Sequence, residues 1–307
     1  MLHFRRWGIL LLVPALAYVL ATTGCGSDKG TDVPRSGTGA RSTAVASNTA
    51  AVVEASAVEA KGTATLKGKI TYDGTPPTLP DLTPEMEKKG EPDKSHCLKG
   101  DRSDQLWKVG ADKGVANVIV WLQAPEGKYF KVPAGESTKE DVTIEQPFCQ
   151  FIPHIAAINP SDYDPETKKQ KKTNQKLKVI NNAPIPHNTA YKGNPLLNPG
   201  TNQNLPPKGE MHIDPKPCKE TDFGKTDLLN FNCDIHKWMT AKVAVFDHPY
   251  YAVTKPDGSY EIKNAPAGVE LTIRYWHESM DPTSLRKAMS KTVTLKEGTN
   301  TEDFMVK

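Results

Sequence analysis

Cys233, His236 and Met239 lie within a single seven-residue run, Cys233-Asp-Ile-His236-Lys-Trp-Met239. At C-x2-H-x2-M spacing they offer a thiolate, an imidazole and a thioether. Such soft and borderline donors select a copper ion cycling between Cu(I) and Cu(II), whereas a hard cation wants oxygens. A blue-copper site needs one more imidazole, and the run Asn181-Asn-Ala-Pro-Ile-Pro-His187-Asn188 supplies the candidate. In this assignment Cys233 is the short thiolate ligand, deprotonated by the metal itself. His187 and His236 bind as neutral imidazoles, and Met239 is the long axial ligand that tunes the potential. The expected cofactor is one type 1 copper, with no catalytic residue.

Other chemistries fit the same residues less fully. His212, Cys218, Cys233 and His236 could give a Cys2His2 zinc site, but that leaves His187 and Met239 unused, and the His212-x5-Cys218 spacing is irregular. A Cys233–His nucleophilic pair has no recognisable oxyanion element or orienting acid. Trp238 and Met239 could be ordinary core. His154, His248 and His277 could extend a metal site, but each reads better as a structural histidine, and His96 as a loop residue.

The elements that must hold these ligands are short. With 25 Pro and 22 Gly in 307 residues, and no long helical periodicity, apolar runs recur at 65–72, 115–122, 177–180, 242–246, 259–262, 270–276 and 292–295. Short strands separated by turn residues predict an all-β sandwich architecture. Lys255-Pro-Asp-Gly258 is a turn in which Pro presets φ and Gly accepts positive φ. Thr83-Pro84 and Asp281-Pro282 predict short helices, each with a cap residue before Pro. Lys168 to Lys172 reads as a solvated loop.

The first quarter of the chain contributes nothing to this core. Arg5 and Arg6 precede an apolar run ending at Leu20, too short to span a bilayer, which predicts an export signal over 1–24. Residues 26–61 are rich in Ser, Thr, Ala and Gly and read as a tether. Net charge is +3, falling to +1 without Arg5 and Arg6, so nothing argues for nucleic acid. In an oxidising compartment Cys97, Cys149 and Cys218 permit one disulfide and one leftover thiol. The sequence leaves that pairing open, with Cys97–Cys149 preferred.

Several of these runs resemble known families. Gly24-Cys25 with its preceding small residues resembles a bacterial lipobox, which implies lipidation at Cys25 and a membrane-anchored protein facing the periplasm or cell surface. Leu66-Lys-Gly68-Lys-Ile-Thr-Tyr-Asp-Gly74, together with Lys255-Pro-Asp-Gly258-Ser and Ala265-Pro-Ala-Gly268, resembles carboxypeptidase regulatory-like (transthyretin-like) domains. Asn232-Cys233-Asp-Ile-His236-Lys-Trp-Met239 looks like the ligand loop of amicyanin-type cupredoxins, and His187-Asn188 is similar to the segment giving their first His. Cys149-Gln-Phe-Ile-Pro-His154, Asp247-His-Pro249-Tyr and Tyr275-Trp-His277-Glu recur with these in bacterial secreted proteins related to methylamine-utilisation cupredoxins.

The resemblance implies a Greek-key cupredoxin-like sandwich over 126–246. It is packed with or inserted into a second small sandwich, built from 63–125 and 247–307 and preceded by a lipid-anchored tether over 25–62. It also implies that Asn188 pins the His187 loop to the Cys233 loop, although Asp234 stands where Ser or Thr is usual. Function follows as one-electron transfer to redox partner proteins, not catalysis. His236 is expected at the surface, ringed by Ile185, Pro186 and Trp238, and the bilayer is touched only through the anchor. The alternatives are a periplasmic copper-handling module and a structural surface sandwich without redox activity.

Overall fold

Strands alternate their side chains between two faces, and in this chain several strands bury both. In Ile119–Gln123, Val120 and Leu122 enter one core while Ile119 and Trp121 enter another. In Ile155–Ile158 the same split separates Ala156 and Ile158 from Ile155 and Ala157. Such strands read as continuous apolar runs because neither face meets water. The computed structural model describes residues 56–88, 90–137, 140–164, 166–218 and 227–307. The expected signal, the lipidation at Cys25 and most of the tether lie outside the described residues.

The architecture is all-β, with two sandwiches. One packs Ser259–Ala267, Gly62–Tyr72 and Gly298–Thr301, joined by Phe304–Val306, against a second sheet. That sheet runs Tyr251–Val253, Ile119–Gln123, Glu270–Trp276 and Met289–Thr294. Leu66, Ile70, Val120, Leu122, Ile262 and Ile273 fill the space between them. Gly258 makes the predicted turn at φ +79°, its N–H donating to the Lys255 carbonyl at 2.8 Å.

The other sandwich has a five-stranded sheet in the order Thr201–Leu205, His187–Lys192, Asp227–Asn232, Thr240–Val245 and Ile155–Ile158. It faces Glu210–Ile213, Leu177–Ile180 and Val142–Glu145. Ile144, Leu177, Val179, Leu229, Val243 and Val245 form its core. A third cluster, with Trp121, Ile155, Ala244, Phe246, Tyr251 and Trp276, lies between the two sandwiches. Each large apolar side chain buried there contributes about 1.5–3 kcal/mol, and the strands of both sandwiches belong to one unit.

Some local expectations change. The helix at Thr83 is a single turn, Thr83–Met86, followed by another, Lys94–Cys97. At Asp281 the cap forms without a helix. Its carboxylate accepts from the Thr283 and Ser284 backbone N–H groups at 3.0 and 3.2 Å. Its carbonyl is held by the Trp276 indole at 3.1 Å, and the chain returns directly to strand at Met289. The basic cluster is not a loop, since Lys169–Lys172 pairs with Ser161–Asp164 as an exposed hairpin strand. Among the described residues no helix is long and apolar enough to cross a membrane.

Candidate metal centre

Two neighbouring strands of the five-stranded sheet set the centre. Asp227–Asn232 and Thr240–Val245 pair along their length, so residues 233–239 close over their end. The loop is locked from within, as Cys233 N donates to the Met239 carbonyl at 3.2 Å and Met239 N to the His236 carbonyl at 2.9 Å. His187 begins the next strand, which pairs with Asp227–Asn232 through Ala190, Tyr191 and Lys192. Alternation along these strands turns Leu229, Phe231, Ala241 and Val243 into the core beneath the loop.

The donor atoms of His187, Cys233 and His236 lie within 4.8 Å of one another, and all three residues are 0 % exposed. The Nδ1 atoms of His187 and His236 are 3.1 Å apart, and Cys233 Sγ is 3.9 Å from His236 Nδ1. Bonds of about 2.0–2.1 Å to nitrogen and about 2.3 Å to sulfur place such pairs about 3–3.5 Å and about 3.5–4 Å apart around one ion. The three groups therefore fit a shared metal. Met239 is buried in the same core cluster as Cys233.

Asn188 ties the two ligand segments together. Its Oδ1 accepts from Asp234 N at 3.0 Å and its backbone N–H donates to Cys233 Sγ at 3.4 Å. A second N–H, from His236, reaches the same sulfur at 3.5 Å. Hydrogen bonds to a thiolate sulfur are one means of tuning a copper potential. Asp234 does not replace the usual hydroxyl. Its carboxylate turns outward, accepting from Asn202 at 2.7 Å and Asn232 at 3.1 Å, and these bonds hold it below the usual carboxylate range. Burial, reinforced by the facing His236, pushes His187 down to about 3, so its ring is neutral and keeps a lone pair for a metal.

The remaining histidines lie outside the cluster, and among them His277 also keeps one buried nitrogen, Nε2, without a hydrogen-bond partner. His154 lies between the Thr240 carbonyl at 2.9 Å and Glu278 Oε2 at 2.6 Å. His277 stacks on Trp107 with ring centroids 3.8 Å apart. His96 belongs to the turn Lys94–Cys97, and its Nε2 meets the Pro147 carbonyl at 2.7 Å. The zinc alternative is not assembled. His212 stands exposed on Glu210–Ile213 with its Nε2 3.1 Å from Glu210, and Cys218 lies against Asn194. Among the described residues Cys233 groups instead with His187 and His236.

One expectation is overturned. His236 does not reach the surface; it is 0 % exposed. Glu91 and Asp93 lie against it, on a stretch pinned by the Cys97–Cys149 disulfide, and Trp238 Nε1 donates to the Cys149 carbonyl at 3.1 Å. Pro186 is exposed, whereas Ile185 and Trp238 are half-buried. This cover brings in two residues that sequence reasoning missed. Asp93 Oδ2 lies 3.3 Å and Glu91 Oε1 3.6 Å from His236 Nε2. The only sequence signal for them was their position just before Cys97, the preferred disulfide partner of Cys149. On another side a cleft of about 430 Å³ reaches the loop between Trp238, Met239, Phe151 and His154.

No family model matches the chain, and no curated protein matches it. Among solved structures it is similar to a purple cupredoxin from Nitrosopumilus maritimus, at 13 % identity and TM-score 0.24, over 34 % of this chain and 100 % of that one. Amicyanin from Paracoccus versutus aligns at 15 % identity and TM-score 0.25, over 38 % and 86 %. A copper-containing nitrite reductase from Thermus scotoductus aligns at 14 % identity and TM-score 0.24, over 38 % of this chain and 25 % of its own length.

Proposed function

We propose that this chain is an exported one-electron carrier built on a type 1 copper held by His187, Cys233 and His236, with Met239 as axial ligand. The convergence of two imidazole nitrogens and one thiol sulfur, all on fully buried residues, carries the reading. The bound ion supplies a one-electron Cu(I)/Cu(II) couple. The chain's own residues fix the donors on adjacent strands, exclude water and direct two N–H groups at the Cys233 sulfur. A cage held this way changes little between oxidation states. Anchoring through Cys25 and redox protein partners complete the proposal. With His236 covered, the expected point of partner contact moves to the Trp238–Met239 side, where the cleft opens.

The cover also favours a second reading, a copper-handling protein that shields its ion. The two separate by experiment. Copper-loaded protein should show an intense band near 600 nm, as thiolate-to-Cu(II) charge transfer gives, that bleaches with ascorbate and returns on reoxidation. Binding of Cu(I) alone, with no reversible couple, favours handling. Cys233→Ser should lose the band completely while remaining folded; full-strength absorption in that variant would end the assignment.

A further inference from the structure

We infer a second cation site on the outer edge of His236, formed by Glu91, Asp93 and His236 Nε2 and suited to a divalent ion of the zinc class. The oxygen and nitrogen donors of these residues lie within 4.8 Å of one another. The imidazole–carboxylate separations, 3.3 Å to Asp93 and 3.6 Å to Glu91, lie close to the edge of about 3.3 Å for a tetrahedral ion with bonds of about 2.0–2.1 Å. Imidazole plus carboxylates suits zinc and neighbouring divalent metals. The site stands on these three groups whether or not copper occupies the inner one.

Two observations separate this cluster from a chance group of acids. His236 is 0 % exposed, yet its Nε2 has no hydrogen-bond partner, and neither does the buried Glu91 Oε1 that faces it. Buried polar atoms left this way are uncommon and costly, at about 1–3 kcal/mol each. Charge gives the second. One imidazole N–H serves one carboxylate, and among the described residues the ion-pair partner of both Glu91 and Asp93 is His236 alone. Two carboxylates with side chains only 15 % and 17 % exposed therefore share a single imidazole nitrogen. A divalent ion satisfies all three atoms at once.

The donors are held before any ion arrives. Asp93's carbonyl accepts from His96 N at 2.9 Å and Cys97 N at 3.0 Å, and Cys97 is bonded to Cys149. Glu91 N donates to the Lys88 carbonyl at 3.0 Å, and Pro92 stiffens the link between the two acids. The partial exposure of the carboxylates leaves a way in and room for a water ligand. With copper held at Nδ1, His236 would offer Nε2 to the outer ion, and the proton on that nitrogen would leave to solvent.

The test is zinc stoichiometry and competition with a chromophoric chelator, on the full chain. Copper-loaded wild type should hold one further equivalent of zinc, and its charge-transfer band should shift as zinc enters. The double variant Glu91→Gln/Asp93→Asn should keep copper and its band but bind that zinc at least about tenfold more weakly, with no shift. No second equivalent in wild type, or equal affinity in the variant, would overturn the site. If the chain takes no copper, the proposed function fails separately. Metal-free wild type and the double variant still decide this site, an affinity difference supporting it and identical zinc binding overturning it.

Discussion

His154 and His236 are both buried imidazoles facing carboxylates brought from a distant part of the chain, and they are completed differently. His154 has a partner on each nitrogen, with Glu278 at 2.6 Å and the Thr240 carbonyl at 2.9 Å, and Glu278 also meets Lys242 at 3.2 Å. His236 has another imidazole 3.1 Å from one nitrogen, and carboxylates beyond hydrogen-bonding geometry at the other. Burial alone does not mark a functional histidine. The first cluster closes its own charges and joins the two sandwiches. The second is closed only if something with empty orbitals sits among its lone pairs.

Removing the cover should have the largest effect on the metal side. The Cys97–Cys149 bridge closes a separation of 52 residues, and its loss in Cys97→Ala/Cys149→Ala should cost about 4 kcal/mol in the chain-entropy view. Denaturant titration measures that cost. In the same variant, reduction of the copper-loaded protein by ascorbate should accelerate, because His236 becomes reachable; an unchanged rate would show that the cover does not limit access.

At the junction, Glu278→Ala should destabilise by about 3 kcal/mol, because it removes the carboxylate that pairs His154 and Lys242, whose side chains are 6 % and 9 % exposed. The copper spectrum of this variant should match wild type. A bleached or shifted band would mean that the two histidine clusters are not independent.

A smaller effect depends on pH. Burial pushes His277 down to about 4 from an ordinary 6.5. The unfolded chain therefore takes up a proton before the native one does. The stability gained from keeping this ring neutral is complete above pH 6.5 and falls as pH drops towards 4. At 1.36 kcal/mol for each unit the loss is at most about 3 kcal/mol. Metal-free protein should lose stability between pH 7 and 4.5, and His277→Phe should lose less; parallel curves would remove His277 as the cause.

Much of this was legible where one local pattern dictates one outcome. Strands at Leu177–Ile180 and Glu270–Trp276 match the predicted runs to the residue. The turn at Gly258 and the meeting of His187 with the Cys233 loop also follow from residue type and spacing, whereas the Cys97–Cys149 bridge was one of the pairings the sequence left open. What was not legible depends on long-range placement. Nothing in Glu91-Pro-Asp93 announces that it will lie over His236, because the segment is polar, short and held there by a disulfide. The capped turn at Asp281 failed to become a helix because Trp276 claims its carbonyl. Lys169–Lys172 joined a hairpin through backbone pairing and a Ser161–Gln170 side-chain hydrogen bond, which charge patterning does not report.

In the proposed centre the Cys233 sulfur and the two Nδ1 nitrogens share one copper. X-ray absorption at the copper edge of the loaded full chain tests it most directly. One short copper–sulfur contact and two imidazole nitrogens are expected, with the sulfur lost in Cys233→Ser. A copper surrounded by oxygen and nitrogen alone in wild type would contradict it.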